Sequence, residues 1–355
     1  MKRVHIHYCA FLLMGLVAVF IVFPISASAR VSGPCSNCHT MHNSQNGQPN
    51  NFDLSATPNP VLVRGTCTGC HAQHTGGNVV TGIPQVYHTN ATDLAGGNFS
   101  FVDGTKGGGA SVTKGHNVHA AISALDADTN LSAPPGDEFS TGITNSNFTC
   151  GGQYGCHGDR SNTTSELSSI KGAHHANDST IDGATVGTSY RFLKGVKGVE
   201  NNDATYGWQN YSATYTNKYK GVNGPDADAS KTSPGTNGTI SGFCSECHGK
   251  FHGSGANGHG TSSAWIRHPT DILYPNSGAY AAYNPLTAYD ATVPVAYTNP
   301  ASPTRATAVV MCLSCHGVHG MDYADILRWD YSTMIAHNGG AASGTGCFKC
   351  HSDKD

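Results

Sequence analysis

Most of this chain shows no sustained hydrophobic period, neither the 3.6-residue repeat of a helix face nor the alternation of a half-buried strand. Its one long apolar run lies at the start, from about Cys9 to Phe23. Lys2 and Arg3 precede that run and Ser26-Ala27-Ser28-Ala29 follows it with an A-x-A pattern. Residues 1–29 are therefore expected to be a cleaved secretion leader, and residues 30–355 the mature domain. The run falls short of the roughly 20 residues a spanning helix needs, and an uncleaved anchor is the alternative. Cys9 lacks the small-residue context of a lipoprotein site and is expected to leave with the leader. No later segment is apolar and long enough to cross a bilayer as a helix.

Beyond the leader, leucine is sparse. Long stretches of Gly, Asn, Ser, Thr and Asp are punctuated by turn signals such as Gly76-Gly77, Pro134-Pro135 and Asn223-Gly224-Pro225. Ala308–Met311 reads as a strand, and short helices are predicted around Tyr323–Ile335 and at each cysteine-rich turn. The expected fold is mostly irregular loop with short helices and few short strands.

Composition sharpens this. Charged residues make up only 12% of the chain, while Gly numbers 44 and His 20. Such a chain has difficulty building a core from its own side chains, and large apolar cofactors would supply the missing buried surface. Lys2 and Arg3 are the leader's only charged residues, so the remainder carries 18 basic and 23 acidic side chains. That balance argues against nucleic-acid binding, which wants a basic face.

The twelve cysteines after the leader fall into six local pairs. Five have the form Cys-x-x-Cys-His: Cys35/Cys38/His39, Cys67/Cys70/His71, Cys244/Cys247/His248, Cys312/Cys315/His316 and Cys347/Cys350/His351. This spacing is the attachment signature of c-type haem. Both thiols must reach one porphyrin edge while the imidazole swings under the metal. Disulfides are the ordinary use of cysteine in an exported protein, and paired CxxC units also bind zinc. Neither use requires a histidine after every second cysteine. The remaining pair, Cys150 and Cys156 with His157, holds five residues between its thiols, three of them glycine. A looped-out insert would make it a sixth haem site; a local disulfide with an idle His157 is the alternative. In chain order these are sites one to six, with the irregular pair as site three.

Two leader histidines and six proximal ones leave twelve for the opposite faces of six irons: His42, His74, His88, His116, His119, His174, His175, His252, His259, His268, His319 and His337. Methionine, the usual alternative, is scarce, so bis-histidine iron is expected. The favoured distal candidates are His42, His88, His116, His175, His268 and His319. Of the adjacent His174 and His175, only one is expected to ligate. His42, His74 and His319 each lie three residues past a proximal histidine, and His252 lies four past. At that spacing two side chains share one face. The second imidazole is then on the proximal side of its own haem. It either reaches the iron of another haem or hydrogen-bonds a propionate.

CSNCHTMHNS near the mature start, KGHN at Lys114–Asn117, RHP at Arg267–Pro269, CLSCH at Cys312–His316 and the terminal CFKCHSDKD resemble the OmcS-type multihaem cytochromes of metal-reducing bacteria. CGGQYGCHG, GAHHAN and the Ser189–Leu193 stretch resemble a related secreted multihaem subfamily in which the long cysteine spacing also occurs. The resemblance covers islands around the cysteine pairs and little of the loops between them. It implies bis-histidine iron throughout, and in some relatives conducting filaments outside the cell. It further implies that His42 ligates the haem of Cys312/Cys315/His316 in an adjacent subunit. One departure stands out: no histidine lies three residues after His157, so His174 or His175 is expected to fill that role.

Function is thus expected to be electron transfer through six close-packed haems rather than catalysis. The expected partners are other cytochromes or further copies of this chain, and an extracellular acceptor such as a metal oxide. A soluble periplasmic carrier is the alternative, as is a reductase with one open haem at Cys150–His157.

Overall fold

The computed structural model describes residues 31–355, apart from 53, 74, 119–131, 138–140, 178, 204, 225–228, 231–232, 253–267, 338–343 and 355. The expected leader lies outside the described residues, as do His74, His119 and His259. Among the described residues no helix is long and apolar enough to cross a membrane.

Loops dominate, as the polar, glycine-rich composition implies. The α-helices span Cys67–His71, Glu166–Ser169, Ile240–Ser245 and Gly346–Cys350, each four to six residues long. Three of them carry or abut a cysteine pair. Threonine caps the first and second of those three: Thr66 accepts from the Gly69 amide and Thr239 from the Gly242 amide. Cys35–Asn37 and Cys312–Ser314 are instead single 3-10 turns. The helix predicted near Tyr323–Ile335 is absent. That stretch holds two 3-10 turns, Ala324–Ile326 and Tyr331–Thr333. Asp325 and Ile326 take left-handed backbone angles there (φ 58° and 56°), which no α-helix accommodates.

One five-stranded sheet organises the C-terminal half, in the order Gly198–Val199, Lys218–Lys220, Ala296–Tyr297, Ala308–Val310, Ile272–Leu273. Neighbours run antiparallel except Lys218–Lys220 with Ala296–Tyr297. The strand predicted at Ala308–Met311 is present as Ala308–Val310, fully buried. Its alternating side chains feed two cores. Val309 packs with Tyr190, Val196, Tyr219, Ile240, Phe243 and Leu313, while Ala308 and Val310 pack with Tyr274, Tyr283, Val295 and Tyr297 on the other face. A third cluster of Ala72, Tyr87, Phe99, Val102 and Val118 lies in the N-terminal half. Each cluster touches an attachment cysteine: Cys156, Cys350 and Cys150 respectively. The small cores hold the cysteine turns in place.

Candidate haem centres

The regular cysteine turns close the same way. At site one the amides of Cys38 and His39 both donate to the Cys35 carbonyl, at 3.1 and 2.8 Å. Sites four and five repeat this, with Cys247 and His248 bonding to Cys244 (3.2 and 3.0 Å) and Cys315 and His316 to Cys312 (3.3 and 3.1 Å). The irregular site three does so too: Cys156 and His157 donate to the Cys150 carbonyl at 3.1 and 2.9 Å. Its five-residue insert folds back on itself, with Gly152 taking a φ of +78° and Gly155 stacked so tightly that a Cβ would lie 2.4 Å from the Gly151 nitrogen. Only glycine tolerates that approach. The insert leaves the relation between the second cysteine, its histidine and the first cysteine as it is elsewhere. All twelve cysteines are free.

A second regularity concerns the proximal imidazoles. Nδ1 donates to a backbone carbonyl at five sites: His39 to Val61 (3.2 Å), His71 to Pro84 (2.9 Å), His157 to Arg191 (2.9 Å), His248 to Pro135 (2.7 Å) and His316 to Asp325 (2.7 Å). A carbonyl only accepts, so the proton sits on Nδ1 and the Nε2 lone pair is left for a metal. Burial pushes His71, His157, His248 and His316 below the usual imidazole range, which keeps them neutral.

At the odd-numbered sites the accepting carbonyl comes from one recurrent device. Val61-Leu62, Arg191-Phe192 and Asp325-Ile326 are consecutive left-handed pairs, with φ between 45° and 61°. The second residue of each pair accepts a backbone bond from just past the proximal histidine: Thr40 to Leu62, Gly158 to Phe192 and Gly317 to Ile326. A basic residue follows two positions on, as Arg64, Lys194 and Arg328. Sequence reasoning missed this cradle. Its only written trace is an apolar pair before a basic residue, too weak a pattern to announce backbone geometry.

Facing histidines form the third regularity. His39 lies opposite His175 with ring centroids 6.0 Å apart, His71 opposite His174 at 6.4 Å, His157 opposite His319 at 6.4 Å, His248 opposite His116 at 6.2 Å and His351 opposite His268 at 6.1 Å. Two imidazoles bound through nitrogen to one metal at about 2.0 Å each would hold their centroids roughly 6.3 Å apart. Rotation about the shared axis changes the interplanar angle but not that distance, so the observed range from 25° to 83° is compatible with one metal between the rings. The facing His116 likewise donates from Nδ1, to the Val318 carbonyl at 2.6 Å. Burial first, then neighbouring histidines, push His116 down to about 4 and His319 to about 3. The residues present fit haem at these positions.

The distal candidates therefore divide. His116, His175, His268 and His319 each face a proximal ring. His174 does so too, although only one of the adjacent pair was expected to. The 3-10 turn Ala173–His175, entered through left-handed Gly172, sends His174 to site two and His175 to site one. The ring opposite His157 is His319, which lies three residues past the proximal histidine of another site. His88 is fully buried but faces no other histidine among the described residues; Asn98 and Ser100 bond its backbone carbonyl. His252 is bonded to buried Asp271 at 2.5 Å. His42 is exposed and its ring faces no described histidine. His316 is the one proximal ring without a facing histidine among the described residues.

The cysteines also order the sites in space. Cys38 neighbours Cys70, Cys67 and Cys150 are hydrogen-bonded thiols, Cys156 lies near Cys244 and Cys247, Cys244 and Cys312 are again hydrogen-bonded, and Cys315 lies near Cys347 and Cys350. Sites consecutive in sequence are thus adjacent in space, an order that sequence alone did not provide.

Residues 305–355, which hold sites five and six, match the family described as Doubled CXXCH motif. No curated protein matches the chain. Two solved structures are similar over 88% of both chains: the Outer Membrane Cytochrome S filament from Geobacter sulfurreducens, at 19% identity and a TM-score of 0.45, and the OmcS nanowires from the same organism by cryo-EM, at 22% and 0.43. The chain resembles an OmcS-type multihaem cytochrome. Its folding pattern is that of the sequence expectation, mostly loop with few short helices and strands.

Proposed function

We propose that this chain carries electrons through a row of six covalently attached c-type haems, one at each cysteine pair, and that it does so outside the cell after export. The observation that carries the reading is the recurrence of facing histidines at 6.0–6.4 Å on five proximal rings. Iron held by two imidazoles has no open position for substrate and exchanges electrons only, with its potential set by ligands, hydrogen bonds and burial. The chain's part is to fix five of the proximal imidazoles as neutral Nε2 ligands through their Nδ1 bonds, and to hold neighbouring cysteine pairs side by side. The matching closure of Cys150–His157 supports counting it as a sixth site. His319 opposite His157 speaks against a reductase with an open third haem. Intact mass of the mature protein tests the count: six haem additions are expected, and five would remove site three.

A second element of the proposal is self-association. Among the described residues no histidine ring faces His316, while His42 presents its ring on a surface where Met41, Val61 and Leu54 are 85%, 74% and 73% exposed. His42 of one copy completing site five of the next would join copies head to tail, a heterologous contact that does not close on itself. Electron microscopy of the secreted protein tests it. Filaments are expected, and dispersed monomers under native conditions would leave the soluble-carrier reading.

A further inference from the structure

Three residues past the proximal histidine, sites one, two and five carry His42, His74 and His319, but site three carries Arg160. The Arg160 guanidinium is 6% exposed and touches the carboxylate of Glu246, which is 0% exposed. It also lies over the Phe243 ring at 4.5 Å. Glu246 is one of the two residues between Cys244 and Cys247, so the contact ties site three to site four. The Cys156 and Cys247 thiols both sense the pair, the guanidinium more strongly than the carboxylate. Burying two charges is a poor way to gain stability, since desolvation offsets their attraction and apolar residues of similar volume serve as well or better. This pair is poorly satisfied besides: Nε and Nη2 of Arg160 and both Glu246 oxygens lack a well-directed hydrogen bond. Its position between two attachment edges, rather than its bonding, is what distinguishes it.

We propose that Arg160 and Glu246 are a fixed charge pair that sets the reduction potentials of the third and fourth haems relative to the rest of the row. The proposal rests on the six-haem reading above. A buried positive charge favours the iron state that has gained an electron and a negative charge disfavours it, and the low-dielectric surroundings keep both effects from being screened. The two charges therefore act on the two central potentials in opposite senses, Arg160 raising them and Glu246 lowering them. The position where a histidine is missing is thereby given to a tuning charge.

The test is spectroelectrochemical titration of the full-length secreted protein at one fixed pH. Arg160→Gln and Glu246→Gln are compared with the native protein and with Arg160→Lys, each after intact mass has confirmed the haem complement. Arg160→Gln is expected to lower two of the six potentials and Glu246→Gln to raise the same two. The expected shift is at least tenfold in the equilibrium constant, about 59 mV for one electron. Arg160→Lys stays closer to the native curve. If a single variant fails to mature, Arg160→Gln/Glu246→Gln leaves no lone buried charge and carries the test, its two central potentials shifting while the other four stay in place. Full complements with unmoved potentials, or single variants shifting in the same direction, overturn the proposal alone. A native mass lacking the third haem removes the six-haem reading and the proposal together.

Discussion

Cys35–His42 and Cys312–His319 are spelled almost alike, CSNCHTMH and CLSCHGVH, yet their last residues have opposite fates. Both turns are 3-10, and both proximal histidines donate to a left-handed residue, Val61 or Asp325. His319 is carried inward, because Gly320 pairs with Gly97 and the Val318 and His319 amides bond to Gly96. There it meets His157. His42 follows Thr40 and Met41 to the surface, its backbone carbonyl held by Asn50 while its ring is exposed. The shared spacing takes the second imidazole off its own haem's distal face. What packs on the segment decides whether its partner is in the same molecule.

Five substitutions would break or sharpen this contrast. His319→Ala has the largest expected effect. It empties a half-buried position, at about 2 kcal/mol, the low end of large-to-small core changes, and is expected to leave the third haem with one ligand. A carbon-monoxide difference spectrum should show one new high-spin haem, and thermal unfolding should come at lower temperature. An unchanged spectrum would mean another residue faces His157. Gly97→Ala comes next. Gly97 takes a φ of +87°, and an added Cβ would sit 2.1 Å from the Gly320 carbonyl oxygen. We expect a loss of about 2 kcal/mol from strain and displacement of Gly320, with partial carbon-monoxide binding as His319 is dragged along.

His42→Ala should leave haem count and monomer stability unchanged, within about 0.5 kcal/mol as for other surface changes, and abolish polymer. Filaments of normal length by electron microscopy would place the joint elsewhere. The smallest effect compares the two cradles directly. Val61 is β-branched in a left-handed conformation that costs such residues about 1–2 kcal/mol, whereas Asp325 tolerates it better. Val61→Gly should therefore stabilise by about 0.5 kcal/mol, net of the added freedom of the unfolded chain, and Asp325→Gly should be neutral or slightly destabilising. Denaturant midpoints of the two variants would decide, and an equal response would show that the cradle is not strained at Val61.

How much of this was written in the sequence differs residue by residue. The cysteine pairs and the histidines after them announce themselves, because covalent attachment demands one local spacing. The strand at Ala308–Val310 was also legible, as a short β-branched run buried on both faces. The Tyr323–Ile335 segment misled, since its apolar spacing suits a helix while Asp325 and Ile326 adopt angles that only the need to reach His316 explains. His174 was passed over because adjacent residues on a regular element diverge too far to serve one site. They serve two, and nothing local reveals that sites one and two lie either side of one turn. The facing partners in general are separated by tens to hundreds of residues, and a pairing made across loops has no period to read.

The turn Ala173–His175 has a mechanical consequence. Two links of the row depend on one three-residue pivot, so sites one and two cannot be loosened independently. A tug on the loop that follows, or a protease cut within it, would slacken both at once. Wear at that single hinge, rather than at any one cysteine turn, would be the place where the line goes dead.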